Sequence, residues 1–186
     1  MRNVLIVLSG PSGVGKGTIA RMLTERNENI ALSISCTTRL PRVGEVHGRE
    51  YFFIEKKDFE KQIQENGFLE YSEHFENFYG TPKAFVENKL QNSDVLLEID
   101  VNGGLEVKKN FPSALLIMLL PPSVGEIKRR LLKRSTESEE KIKMRMSRID
   151  YEIGKQDEYD YAVINDELET AYEDVLKIIN SEKNKI

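Results

Sequence analysis

The sequence predicts an α/β domain with a central parallel sheet, and three observations predict it. Three apolar runs, Val4 to Leu8, Val95 to Leu97 continuing into Ile99, and Ala114 to Leu120, are continuous rather than alternating. Strands covered by helices on both faces read this way. Helical spacing lies between and after them: Ile19, Met22 and Leu23 share one face, and Leu168, Tyr172, Val175 and Ile179 share another. A stop signal, Pro121-Pro122, then leads into Ser123 with Glu126 three residues on, a capping box that opens a helix through about Arg134.

Composition narrows the possibilities. The chain has 186 residues, with 31 Asp and Glu against 27 Lys and Arg, a formal charge of −4. One domain of moderate core size is expected at this length. The acidic balance argues against a protein that coats nucleic acid, so no nucleic-acid partner is expected. A single cysteine, Cys36, excludes an internal disulfide framework and a cysteine zinc site, and it is expected to be a buried small side chain. The apolar run near the start is too short for a signal peptide or a membrane span, so a cytoplasmic protein without a membrane partner is expected.

The first strand runs into Ser9-Gly-Pro-Ser-Gly-Val-Gly-Lys-Gly-Thr18. Gly10, Gly13 and Gly15 let backbone N–H groups converge on a phosphate, and the helix that follows turns its positive end toward it. Lys16 would reach the β- and γ-phosphates. This is a phosphate-binding loop, with Gly10, Pro11, Ser12, Gly13, Val14, Gly15, Lys16, Gly17 and Thr18 as candidate nucleotide ligands. The position after Lys16 usually carries a hydroxyl for magnesium and is Gly17 here, with Thr18 next. No metal ligand is therefore assigned directly; Mg²⁺ would arrive with the nucleotide and be held through water and phosphate oxygens. Asp100-Val-Asn-Gly103 matches a GTPase pattern, but Asn88-Lys89-Leu90-Gln91 lacks the acid that such proteins need to read guanine, which weakens that reading.

From about Ser35 to Leu90 the strand–helix rhythm breaks. The segment carries Tyr51-Phe-Phe-Ile54, a short helical piece around Phe59 and Ile63 ending at Gly67, and then an aromatic stretch. It reads as a lobe inserted into the core. Arg39 and Arg42, stiffened by Pro41, could clamp a phosphate with planar donors, and Ser35 and Tyr51 could add hydroxyls. Glu98 and Asp100, two apart at the end of an apolar run, are expected on one face of a strand, where ligands of open α/β sheets bind. Ser135 to Lys141 is a charged loop, flanked by Arg130, Arg134, Arg145 and Arg148, that could serve as a lid. His47 and His74 receive no catalytic role, and Met144 and Met146 read as packing.

The run Ser35-x-Thr-Thr-Arg-x-Pro-Arg-x-Gly-Glu-x-x-Gly-x-x-Tyr51, together with the loop, resembles the guanylate kinases. The likeness continues through Phe68-Leu-Glu-Tyr71, Asn77-Phe-Tyr-Gly-Thr81, Leu97-Glu-Ile-Asp100, Arg134-Ser-Thr-Glu-Ser-Glu-Glu140 and Val163-Ile-Asn-Asp166, nearly the whole chain in order. It implies a P-loop kinase three-layer fold. The core would span about 1–34 and 91–186 and bind ATP, a lobe at about 35–90 would bind GMP, and a lid would lie at about 130–148. The activity implied is transfer of the γ-phosphoryl group of ATP to GMP, and dGMP, with Mg²⁺. By the resemblance Ser35, Arg39, Arg42, Tyr51 and Tyr79 hold the acceptor phosphate. Glu70, Thr81 and Asp100 read guanine, with Glu98 toward the metal. Arg134 and Arg145 are lid arginines, and Asn165 lies close to the adenine. Lys16, Arg39, Arg42, Arg134 and Arg145 would together neutralise the phosphoryl groups. Two other readings stay open at this point: a P-loop kinase for another phosphate monoester, and a non-catalytic binding module of the same shape.

Overall fold

The computed structural model describes residues 3–74, 76–123, 125–127 and 147–185. Two sheets divide the chain. The larger is built from β1 (Leu5–Ser9), β2 (Ile30–Leu32), β7 (Asp94–Glu98), β8 (Leu115–Leu120) and β9 (Tyr161–Ile164). Its five strands stand in the order β2-β7-β1-β8-β9. Every pairing in it is parallel.

The apolar runs explain this sheet. Along β1, Ile6 and Leu8 pack on one face with Leu96, Ile117 and Leu119, while Leu5 and Val7 pack on the other with Val95, Leu97, Leu116 and Met118. Helix α1 (Lys16–Arg26) and the C-terminal helix α5 (Leu168–Lys185) cover the first face through Ile19, Leu23, Tyr172, Val175 and Ile179. Helices α3 (Lys83–Lys89) and α4 (Val101–Asn110) cover the second through Val86, Val101 and Val107. The result is a three-layer α/β architecture. Asp94, buried at the start of β7, accepts from the Val4 N–H at 2.9 Å and pairs with Lys183 at 2.7 Å, tying α5 to the first residue of β7.

The second sheet is built from β3 (Cys36–Thr37), β4 (Phe52–Phe53), β5 (Phe68–His74) and β6 (Asn77–Pro82), with α2 (Lys56–Gln64) between β4 and β5. Its four strands stand in the order β4-β3-β6-β5. Its core is aromatic. Phe59 of α2 stacks on Phe68 at 4.4 Å and on Phe78 at 5.3 Å between centroids. Gly80 opposes these rings, and a Cβ there would lie 3.0 Å from both Phe59 and Phe68. The short strand β3 is set by pairing across the chain, while β4 lies within the Tyr51-Phe-Phe-Ile54 run.

The Ser123 half of the expected capping box is in place: the Glu126 N–H donates to the Ser123 hydroxyl at 3.1 Å, and residues 125–127 are helical. The rest of the expected helix, the charged loop and Arg130, Arg134, Arg145, Met144 and Met146 lie outside the described residues. Among the described residues, no helix is long and apolar enough to cross a membrane.

Candidate active site

The loop between β1 and α1 is shaped by glycines in the left-handed region. Gly13 and Gly15 have φ of 83° and 107°. At Gly10, a Cβ would come within 2.3 Å of the Leu119 carbonyl oxygen, so only glycine lets the loop leave β1 so close to β8. Lys16 folds back over the loop, donating to the carbonyls of Gly10 at 2.7 Å and Pro11 at 3.3 Å. Burial lowers its pKa, while the carboxylates of Glu152, Glu98 and Asp100 oppose that shift. Asn165, buried after β9, donates to the Val14 carbonyl at 2.8 Å, and its Oδ1 is buried without a partner among the described residues. This amide therefore braces the loop and holds one acceptor in reserve beside it.

Parallel register puts Glu98 beside this loop, since Leu8 of β1 pairs with Glu98 of β7. A Cβ on Gly17 would lie 3.3 Å from Glu98 Oε1, so the carboxylate fills the space next to the position that usually carries the metal-binding hydroxyl. Glu98 is open to solvent, yet the protein around its carboxylate raises its pKa, and Lys16 opposes the rise. Among the described residues, no group of three His, Cys, Asp or Glu side chains could hold a metal ion alone. This donor set suits a hydrated Mg²⁺ carried mainly by phosphate oxygens.

Asp100 does not continue the strand. β7 ends at Glu98, and Asp100 is the N-cap of α4, its Oδ1 accepting from the Gly103 N–H at 2.8 Å. The expectation of two carboxylates on one strand face is corrected accordingly. The cap satisfies an orphan helix donor and points the second oxygen, Oδ2, sideways toward the lobe.

There the lobe brings Glu70. A register shift in the β5–β6 pairing between Phe68 and Glu70 leaves Leu69 in the main core and makes Glu70 the direct partner of Thr81. The Thr81 hydroxyl donates to Glu70 Oε1 at 2.6 Å, and both residues are buried. Burial, with help from Asp100, pushes the Glu70 carboxyl up to about 7, and the Thr81 bond resists this. A Cβ at Gly103 would lie 3.1 Å from Glu70 Oε2 and 3.4 Å from Asp100 Oδ1, so the two carboxylates converge over one glycine. They open into a cavity of about 920 Å³ between lobe and core, lined also by Ser72, His74, Arg148 and Glu152.

The other lobe residues gather around an arginine. Arg39 makes a two-pronged pair with Glu45, at 2.9 and 3.0 Å, and lies over the rings of Tyr51 and Phe53. Tyr51 meets Tyr79 edge-on at 5.9 Å. Glu45 also accepts from the Arg42 N–H at 2.7 Å, while the Arg42 side chain is exposed. Ser35, partly exposed, precedes β3, its carbonyl accepting from the Phe52 N–H at 2.9 Å. Cys36 is buried and its thiol is pushed up to about 11, the condition of an unreactive packing residue.

Among the cavity residues to which sequence reasoning gave no site role are His74, Arg148 and Glu152. His74 Nε2 lies 3.4 Å from Asp100 Oδ2, and Arg148 Nη2 donates to the same oxygen at 3.2 Å. Glu152, buried, accepts from Arg148 Nε at 3.0 Å. The four-residue spacing of Arg148 and Glu152 was the available signal for this pair.

A glycine-rich loop between a parallel strand and a helix, with carboxylates gathered at the carboxyl end of the neighbouring parallel strand, defines a P-loop protein. The guanylate kinase family model matches residues 2–182. A guanylate kinase of Caldanaerobacter subterraneus subsp. tengcongensis is 46% identical over 186 residues, covering 100% of this chain and 90% of that protein. One from Thermus thermophilus is 48% identical, covering 100% of this chain and 84% of that protein. The crystal structure of guanylate kinase from Anaplasma phagocytophilum superposes with a TM-score of 0.75 at 30% identity, covering 97% of this chain and 86% of that one. The chain belongs to the guanylate kinase family.

Proposed function

We propose that this protein transfers the γ-phosphoryl group of ATP to GMP, giving ADP and GDP, with the free nucleotides as its partners. The observation that carries this reading is the meeting of Glu70, paired with Thr81, and Asp100 over Gly103, with the charge of Asp100 also felt by Lys16 of the phosphate loop. Guanine presents N1–H and N2–H₂ as adjacent donors, which a carboxylate can accept together; adenine presents no such pair on that edge and would leave a buried acid unpartnered. Polar sites of this kind discriminate by factors on the order of 10⁴.

The core binds the donor and the lobe binds the acceptor. Gly10 to Thr18 cradle the phosphates of ATP, Lys16 reaches across them, and Asn165 lies at the adenine end. Mg²⁺, held by phosphate oxygens and water with Glu98 and Asp100 nearby, supplies charge neutralisation when bound. Ser35, Arg39, Arg42, Tyr51 and Tyr79 hold the acceptor phosphate. Arg39 is pre-shaped for this by Glu45, whose planar carboxylate occupies the fork that a phosphate would share or take over. The attacking oxygen is already ionised at neutral pH, so no general base is required, and the work is positioning and electrostatics. Arg134 and Arg145 complete the cage from the lid.

The test is an acceptor panel of GMP, dGMP, AMP, UMP and a sugar phosphate with ATP and Mg²⁺, coupled to ADP formation. GMP is the best substrate on this reading. Faster turnover of AMP or UMP would move the protein to a kinase for another phosphate monoester.

A further inference from the structure

Asp100 has one oxygen committed and one in play. Oδ1 is fixed by the Gly103 N–H, whereas Oδ2 faces the cavity and is met by Arg148 from residues 147–153 and by His74 from β5. Arg148 is itself held at a second point, because its Nε donates to Glu152 Oε1. Glu152 is 6% exposed, lines the same cavity, and its Oε2 is buried without a partner among the described residues. A guanidinium gripped by a buried acid and aimed at a second acid is more ordered than a surface arginine, even though half of its side chain is exposed. Among the described residues, the charged and titratable groups around this point include Glu70 and His74 from the lobe, Lys16 from the loop, Tyr159 behind α4, and Glu152 itself.

Two carboxylates converging over Gly103 repel each other, so the site needs a cation to keep both aimed at a neutral base. We propose that Arg148, braced by Glu152, is the positioning residue that directs Asp100 Oδ2 to the 2-amino group of the acceptor base and so sets the preference for guanine over a purine lacking that group. The inference rests on the GMP reading of the cavity. Glu70 alone can serve N1–H, which hypoxanthine shares with guanine. The second N2–H needs another acceptor, and Oδ2 is the cavity-facing one that a cation orients.

The experiment compares GMP with IMP as acceptors in the wild type, Arg148→Met and Arg148→Lys, with KM for ATP and a thermal melt measured on each. Arg148→Met is expected to reduce the GMP:IMP ratio of kcat/KM by about tenfold, the range of a charged hydrogen bond, mainly through KM for GMP and with KM for ATP unmoved. Arg148→Lys restores charge but cannot grip Glu152 and Asp100 together, and so recovers part of the ratio. An unchanged ratio in Arg148→Met overturns the proposal, as does a loss confined to kcat and KM for ATP, which would make Arg148 a phosphate ligand. Absence of GMP turnover in the wild type would sink the functional reading instead, a distinguishable result.

Discussion

The two sheets bury their residues in opposite ways. In the five-stranded sheet Leu5 to Leu8 of β1 are apolar on both faces and helices cover both, with Ser9 and Asp94 buried as polar groups only at strand ends. In the four-stranded sheet the fully apolar interior shrinks to Cys36, Phe59 and Phe68 with partly buried neighbours, while Glu70, Thr81 and Thr37 are buried as polar groups. The first arrangement maximises area removed from water and fixes the phosphate loop on a stiff frame. The second gives up apolar burial to place acceptors inside. On the function proposed above, donor binding therefore falls to the region with the larger apolar core, and base recognition to the region with less to spare.

The largest test of this division removes the charge at the centre of the donor side. Lys16→Ala is expected to lower kcat on the order of 10³-fold, the range for losing one electrostatic stabiliser. GMP binding, measured by calorimetry without ATP, should stay within about twofold on that scale. A comparable loss of GMP affinity would mean the two regions are not separable in function.

Next comes the aromatic pivot of the lobe. Phe59 is fully buried between Phe68 and Phe78, and Phe59→Ala should cost about 3 kcal/mol. If the lobe is the softer unit, hydrogen exchange will quicken across β3 to β6 while β1, β7 and β8 keep their protection. Uniform loss of protection in both sheets would show one cooperative unit.

The sequence announces the stiff region and hides much of the soft one, for a physical reason. Continuous apolar runs mark β1, β7 and β8 because both faces are dry. Strand β3 is two residues long and owes its existence to pairing with distant partners, Cys36 with Phe52 and with Gly80. The loop is legible because its glycines and Lys16 are contiguous. Glu70 and Thr81 are eleven apart and meet only through hairpin register, and the resemblance to a family named them before any periodicity could. Asp100 was misplaced because an alternating Glu-Ile-Asp looks the same whether the third residue continues a strand or caps a helix. Glu152 has no signal in the sequence beyond its four-residue spacing from Arg148, since burial is a property of what packs around a residue.

The sharpest probe of the trade in the lobe is pH. Glu70 has an ordinary carboxyl value of 4.5 when unfolded and is pushed up to about 7 by burial when folded. Between these values the folded protein holds a proton that the unfolded chain has released, so stability falls as pH rises through the window and levels off above about 7. The total is about 3 kcal/mol. Glu70→Gln removes the titration and its amide oxygen can still accept from Thr81, so this variant should melt higher than wild type at pH 8 and show little advantage at pH 4.5. GMP binding runs the other way, because only the ionised carboxylate accepts from both N1–H and N2–H₂. Wild-type affinity should weaken by about tenfold per pH unit below 7, beyond what ionisation of the nucleotide phosphate near pH 6 contributes. Glu70→Gln should bind GMP more weakly at pH 8 and keep the phosphate contribution alone. Calorimetric titrations and melts of both proteins from pH 5 to 8 measure the two trends together. A variant that is no more stable at pH 8, or that keeps the full pH slope of binding, would break the link between buried charge and base reading.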